Sequence, residues 1–316
     1  MSMQYTTLGR TELEVSVAGL GCGGHSRLGQ SYGATEAESI AVVRRALDLG
    51  INVVDTARIY GTEEIVGRAL EGCRDEVVLS TKALPIDGDQ PISAERMRSS
   101  VEKSLGRLRT DRIDLFFVHG MRSTDVHHTR DVIVPELLAL RDAGKIRFLA
   151  ASEAFASDHG HDALGQSLDA GDDWYDVLMV GHNPFNPSSR DRVLAATEAR
   201  GIGVYVMFAV RKALASPDGV RRVVDGLIAA GDLDPGLVDA DDPLGFLLGD
   251  DGASSLPEAA YRFARHEPGC HVVLTGTGSV EHLAENVASI NGPPLADAHL
   301  AHLQTLFGHV DTITGD

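Results

Sequence analysis

Short apolar runs recur along the chain and alternate with stretches of helical periodicity. The runs lie near 17–21, 51–55, 77–81, 113–118, 146–151, 176–180, 202–206 and 271–275, and each reads as a buried strand. The intervening helices carry their own start and stop signals. Thr35-Glu36-Ala37-Glu38 is a capping box, Ile40, Val43 and Leu47 mark one face, and Gly50 ends that helix. Ser93 caps a longer helix whose stripe is Met97, Val101, Leu105 and Leu108. Gly144 and Gly201 each stand just before a strand, where helix-ending glycines belong. Strands that alternate with helices of this length imply parallel pairing and right-handed crossovers. Eight such units predict an α/β fold closed into a (β/α)8 TIM barrel; an open doubly wound sheet is the alternative.

Two regions stand outside this rhythm. Tyr5-Thr6-Thr7-Leu8 and Leu13-Glu14-Val15-Ser16 flank a Gly-Arg-Thr turn and predict a small N-terminal hairpin ahead of the barrel. From about Phe208 to Leu256, after the seventh strand, there is no clear strand. That insertion carries a helix on Val220, Val223, Val224, Leu227 and Ile228, then an acidic segment from Asp232 to Asp242. An insertion of this kind on the catalytic face either shapes substrate access or is a solvated spacer. A helix over about Ala296–Phe307 ends the pattern. Residues 1–316 read as one barrel domain.

Charge and cysteine content narrow the class. Lys plus Arg is 28 and Asp plus Glu is 46, a net charge of −18, which argues against nucleic acid or an anionic membrane as partner. Cys22, Cys73 and Cys270 form no CxxC pair, so neither a disulfide framework nor a zinc ribbon is indicated and a reducing cytoplasm is expected. MSMQYTTLGR lacks the apolar stretch of a signal peptide, and no run reaches the roughly 18 apolar residues of a membrane span.

Candidate chemistry gathers at the ends of three successive strands. Asp55 closes one, with Tyr60 in the loop beyond it; Lys82 and His119 close the next two. In a barrel these ends share the catalytic face. A phenol has a pKa near 10 and is a poor acid at neutral pH; an adjacent ammonium lowers that pKa. A carboxylate keeps the ammonium charged and aimed. An imidazole opposite orients a carbonyl oxygen. Together they protonate a carbonyl oxygen as hydride reaches its carbon. No side chain donates hydride, so a nicotinamide is implied.

The residues that carry these groups resemble the aldo-keto reductase family. The resemblance rests on Asp55-Thr56-Ala57-Arg58-Ile59-Tyr60-Gly61-Thr62-Glu63-Glu64 with Val66-Gly67-Arg68-Ala69-Leu70. Leu8-Gly9-Arg10-Thr11, Gly19-Leu20-Gly21, Ser80-Thr81-Lys82, Asp114 to His119, Val273-Leu274-Thr275-Gly276 and Glu285-Asn286 extend it along the chain. It implies a barrel that binds NADP, or alternatively NAD, in extended form and acts on a small-molecule carbonyl or alcohol. It also implies a tetrad: Tyr60 as proton donor, Lys82 lowering its pKa, Asp55 paired with Lys82, and His119 orienting the carbonyl. A cofactor-sensing regulatory subunit with little turnover is the alternative function.

The same resemblance nominates cofactor contacts, with departures from the family pattern. Gly21, Cys22, Gly23 and Asp55 line the nicotinamide side. Ser152-Glu153 stands where the family has Ser-Asn, Met179 where it has Gln, and Met207-Phe208 where an aromatic stacks on the nicotinamide. At the adenine end are Gly276, Thr277 and Gly278, then His282 in place of an Arg, then Glu285 and Asn286. The loss of the Arg predicts weak discrimination, with NADP(H) only slightly ahead of NAD(H). His159-Gly160-His161-Asp162 has a metal-like spacing but reads as a surface polar cluster, as does His127-His128, so no metal is expected. Trp174 reads as a packing residue.

Overall fold

A computed structural model describes residues 2–249 and 252–316. The chain opens with a hairpin of β1 (Tyr5–Thr7) and β2 (Glu14–Ser16). The barrel begins with β3 (Ala18–Gly21), β4 (Val53–Asp55) and β5 (Val78–Ala83). A two-residue hairpin, β6 (Ile86–Asp87) and β7 (Gln90–Pro91), decorates the following loop. The barrel continues with β8 (Ile113–Met121), β9 (Ile146–Glu153), β10 (Val177–Gly181), β11 (Gly203–Met207) and β12 (Val272–Thr275). All eight barrel strands pair in parallel, and β12 closes on β3.

The strand pattern is that of a parallel sheet covered on both faces. One cluster, including Val54, Leu79, Phe116 and Leu149, meets the surrounding helices. A second fills the lumen with Val53, Phe117, Met179 and Tyr205. Leu8 and Val15 of the hairpin belong to this lumen cluster, and Arg10 N donates to Gly201 O at 2.6 Å just before β11. The hairpin therefore plugs the end where the strands begin and leaves the other end open for chemistry.

Local signals act as the sequence implies. Thr35 accepts from the Glu38 amide while Glu38 bonds back to Thr35, completing the capping box of Glu36–Asp48. Ser93 caps Ala94–Leu108. Gly50, Gly144 and Gly201 all have positive φ, the left-handed conformation that lets a chain leave a helix.

Three features differ from expectation. The strand carrying His119 runs to Met121, and its register with β9 shifts between Val118 and Met121. Such a bulge re-aims side chains at the rim of a barrel. The 208–256 insertion is not wholly a solvated spacer. Its helix Pro217–Ala230 buries Val220, Val224 and Leu227 in a satellite core with Leu303, Leu306 and Phe307 of Asp297–Phe307, while much of the acidic stretch after it stays exposed. Finally, His161 is not on the surface: it is fully buried against Glu153. Long-range packing, invisible in the local polar sequence, places it there.

Candidate active site

At the ends of β4 and β5 a charge pair is sealed from solvent. Lys82 Nζ donates to Asp55 Oδ2 at 2.5 Å and to Thr56 O at 2.9 Å. Asp55 Oδ1 accepts from Ser80 Oγ at 2.6 Å. Ser80 and Lys82 lie two apart on one strand and so point to the same side, a period-2 signal that marks Ser80 in the sequence. Burial works most strongly against the Lys82 ammonium, but Asp55, with smaller help from Tyr60 and Cys22, more than offsets it and holds the lysine above its usual range.

Tyr60 and His119 complete the group. The Lys82 ammonium lies 5.1 Å from the Tyr60 ring centroid. The phenol oxygen is 3.4 Å from His119 Nε2, and the two rings meet edge-on with centroids 5.6 Å apart. The four residues thus converge as their strand positions predict. The expected lowering of the phenol is offset: burial raises Tyr60 above its ordinary value and Lys82 pulls it back only partly. The phenol therefore holds its proton at neutral pH. His119 is pushed down to about 3 by burial and then by Lys82, so its ring is neutral. Its Nδ1 is buried without a partner. Cys22, fully buried beside Asp55, is kept as a thiol by burial.

The nominated cofactor contacts divide. Ser152 Oγ accepts from Gly120 N at 3.0 Å, a bond that leaves its hydroxyl proton free to donate beside His119. Glu153 is a correction: both its oxygens meet His161 Nδ1, at 3.0 and 2.9 Å, and Oε1 also accepts from Gly181 N at 2.7 Å. A carboxylate buried at this position needs such partners to offset lost hydration, and so is not free to hold a carboxamide. Met179 faces the lumen beside Tyr205. Met207 ends β11 half-buried. The Phe208 ring stacks on Phe155 with centroids 5.9 Å apart and lies under the Arg211 guanidinium at 4.4 Å.

Gly276 and Gly278 form a close-set turn after β12. A Cβ on Gly278 would fall 2.4 Å from Gly29 Cα, and one on Gly276 would fall 3.0 Å from Gly21 O. Ser279 caps the helix Val280–Ile290 and also donates to Glu281 at 2.8 Å. Exposed His282 and Glu285 follow, while Asn286 is tied to Thr275 Oγ1 at 2.9 Å. Of the nominated contacts, Ser152 keeps a free hydroxyl proton, whereas Glu153 and Phe208 are engaged within the protein. Among the described residues, no group of three His, Cys, Asp or Glu is placed to hold a metal, and no helix is long and apolar enough to cross a membrane.

Comparison with known proteins identifies the family. The model of the aldo/keto reductase family matches residues 20–306. The chain is 41% identical over 161 residues to the aldo-keto reductase YhdN of Bacillus subtilis, covering 48% of this chain and 47% of that protein. It is 25% identical over 312 residues to the oxidoreductase YqkF of the same organism, covering 96% of each. The fold matches that of an aldo-keto reductase from Bacillus halodurans in its holo form, with a TM-score of 0.72 at 23% identity over 99% of this chain and all of that one (100%). The chain belongs to the aldo/keto reductase family of NAD(P)-dependent oxidoreductases.

Proposed function

We propose that this protein reduces an aldehyde or ketone to an alcohol, or runs the reverse reaction, with Tyr60 as the group that gives or takes the proton at oxygen. The single observation that carries this reading is the sealed Asp55–Lys82 pair, whose ammonium lies 5.1 Å from the Tyr60 ring centroid. When bound, the nicotinamide supplies hydride to the carbonyl carbon. The chain's own groups manage the oxygen. His119, neutral and 3.4 Å from the phenol, shares with Tyr60 the task of hydrogen-bonding the carbonyl oxygen. Burial keeps the Tyr60 proton in place until negative charge develops on that oxygen; Lys82 then stabilises the phenolate left behind. Asp55 and Ser80 hold Lys82 at its post.

Ser152 is the best-supported contact for the nicotinamide amide, because its hydroxyl proton is unspent. At the other end, Glu281 in the first turn of Val280–Ile290 opposes a ribose phosphate at the pole that would otherwise attract one. This supports weak discrimination between the coenzymes, with NADP(H) only slightly ahead. The test is NADPH and NADH oxidation against sugars, steroids, aromatic aldehydes and small dicarbonyls, repeated with Tyr60→Phe. The substitution is expected to cost about 10³-fold or more in kcat, roughly 4 kcal/mol, without loss of folding. Unchanged turnover defeats the assignment.

A further inference from the structure

The turn that carries Tyr60 has little of its own to hold it. Arg58–Tyr60 is a single 3-10 turn, Ala57 before it supplies no side-chain cap, and Arg58 and Ile59 are exposed. Its support comes from the loop after β3. Arg27 Nε donates to Tyr60 O at 2.8 Å and its Nη2 to Ile59 O at 3.1 Å. Two nitrogens of one guanidinium thus brace two successive carbonyls of the turn, a fork that no other side chain offers.

Gly23 supports the ring itself. A Cβ built there would fall 2.5 Å from Cε2 and 2.6 Å from Cδ2 and Cζ of Tyr60. The phenol therefore lies flat on the Gly23 backbone. The φ of Gly23 is outside the left-handed region, so backbone conformation does not demand glycine; contact with Tyr60 does.

The loop itself is anchored at some conformational cost. Arg27, Leu28 and Gly29 take successive positive φ values of 46, 58 and 89°, and two of them are not glycine. Leu28 is fully buried, Cys22 N donates to Asp55 O at 2.7 Å, and Thr62 Oγ1 donates to Cys22 O at 3.1 Å. The strained turn brings Arg27 back over the carbonyls it braces.

We propose that Gly23 and Arg27 are positioning residues for the Tyr60 phenol, Gly23 by seating the ring and Arg27 by bracing the turn. This rests on the reading of Tyr60 as proton donor. A displacement of the phenol by an ångström is enough to cost two orders of magnitude in rate.

The test is a double-mutant cycle with 4-nitrobenzaldehyde as probe, following hydride transfer from NADPH, with NADPH affinity measured separately by fluorescence. Gly23→Ala is expected to stay folded and, at saturating NADPH, to lose about 30- to 100-fold in kcat. In a Tyr60→Phe background the same change is expected to cost nothing further, because it acts through the phenol. Arg27→Ala is expected to lose about 3- to 10-fold by the same logic, and Arg27→Lys to fall with it, since charge without the fork cannot brace both carbonyls. The Arg27 pair carries the test should Gly23→Ala fail to fold. A folded Gly23→Ala with wild-type kcat, an equal fractional loss in the Tyr60→Phe background, or full rescue by Arg27→Lys overturns the proposal. Wild-type kcat in Gly23→Ala beside a crippled Tyr60→Phe overturns this inference alone; wild-type turnover in Tyr60→Phe overturns the donor assignment and takes this inference with it.

Discussion

Two carboxylates are buried on the strands that flank β5, one at each end of the barrel, and they are handled differently. Asp114, near the start of β8, accepts from Arg74 and Arg147 at 2.8 Å each and from the Leu79 amide at 3.0 Å. Both guanidinium groups reach solvent, with side chains 16% and 44% exposed. Asp55, at the end of β4, is held by Ser80 and by a lysine with no exposure at all. The first arrangement clamps neighbouring strands and offers nothing further to bind. The second spends only two of three ammonium donors, on Asp55 and Thr56 O, and has the Tyr60 ring centroid 5.1 Å away. Burial of charge is common to both; what marks the mouth is charge left partly unspent.

The contrast can be broken most forcefully at Lys82. Lys82→Met is expected to lower kcat by about 10³-fold or more and, by stranding Asp55 without a counterion, to cost about 3–5 kcal/mol of stability in a urea melt. Asp114→Asn should cost roughly 2–3 kcal/mol of stability, by the loss of charged hydrogen bonds, with kcat unchanged. A matching fall in kcat would erase the division of labour between the two ends.

Acidity sharpens the comparison further. His119 is pushed down to about 3 in the folded chain from an ordinary 6.5, so the unfolded chain binds its proton more readily. The stability associated with this group is fully present above about pH 6.5 and is lost as pH falls towards 3. Between pH 7 and pH 5 the wild type should lose about 1–2 kcal/mol more than His119→Gln does; parallel urea melts at the two pH values read the difference. The same depression predicts no step near pH 6.5 from this imidazole in kcat/KM. The smallest effect concerns the coenzymes. The kcat/KM ratio of NADPH to NADH is expected to stay within about tenfold, 1.4 kcal/mol; a ratio above about a hundredfold, roughly 2.7 kcal/mol, rejects weak discrimination.

The barrel was legible because its signals are local. Continuous apolar runs, a capping box at Thr35 and glycines at positions 50, 144 and 201 each specify their own neighbourhood, and eight repetitions leave few topologies. The convergence of Asp55, Tyr60, Lys82 and His119 was legible for the related reason that parallel strands end at one face. The bulge at Val118–Met121 was not, because a register shift is a property of two strands rather than one. Nor was the Glu153–His161 pair. His161 lies in a polar stretch that reads as surface, and only the folded chain brings it to Glu153 and stacks it on Phe155 with ring centroids 5.5 Å apart. The stacking of Phe208 on Phe155 was hidden for the same cause, since Phe155 comes from the loop after β9.

The satellite core carries a practical corollary for anyone who would re-engineer this scaffold. Since Val220, Val224 and Leu227 share one apolar cluster with Leu303, Leu306 and Phe307, the segment after β11 and the helix Asp297–Phe307 pack as one unit, together with Phe185 from the loop after β10. Grafting one from a relative without the other would leave mismatched apolar surfaces facing each other, so recombination breakpoints belong outside both segments, with the pair exchanged together.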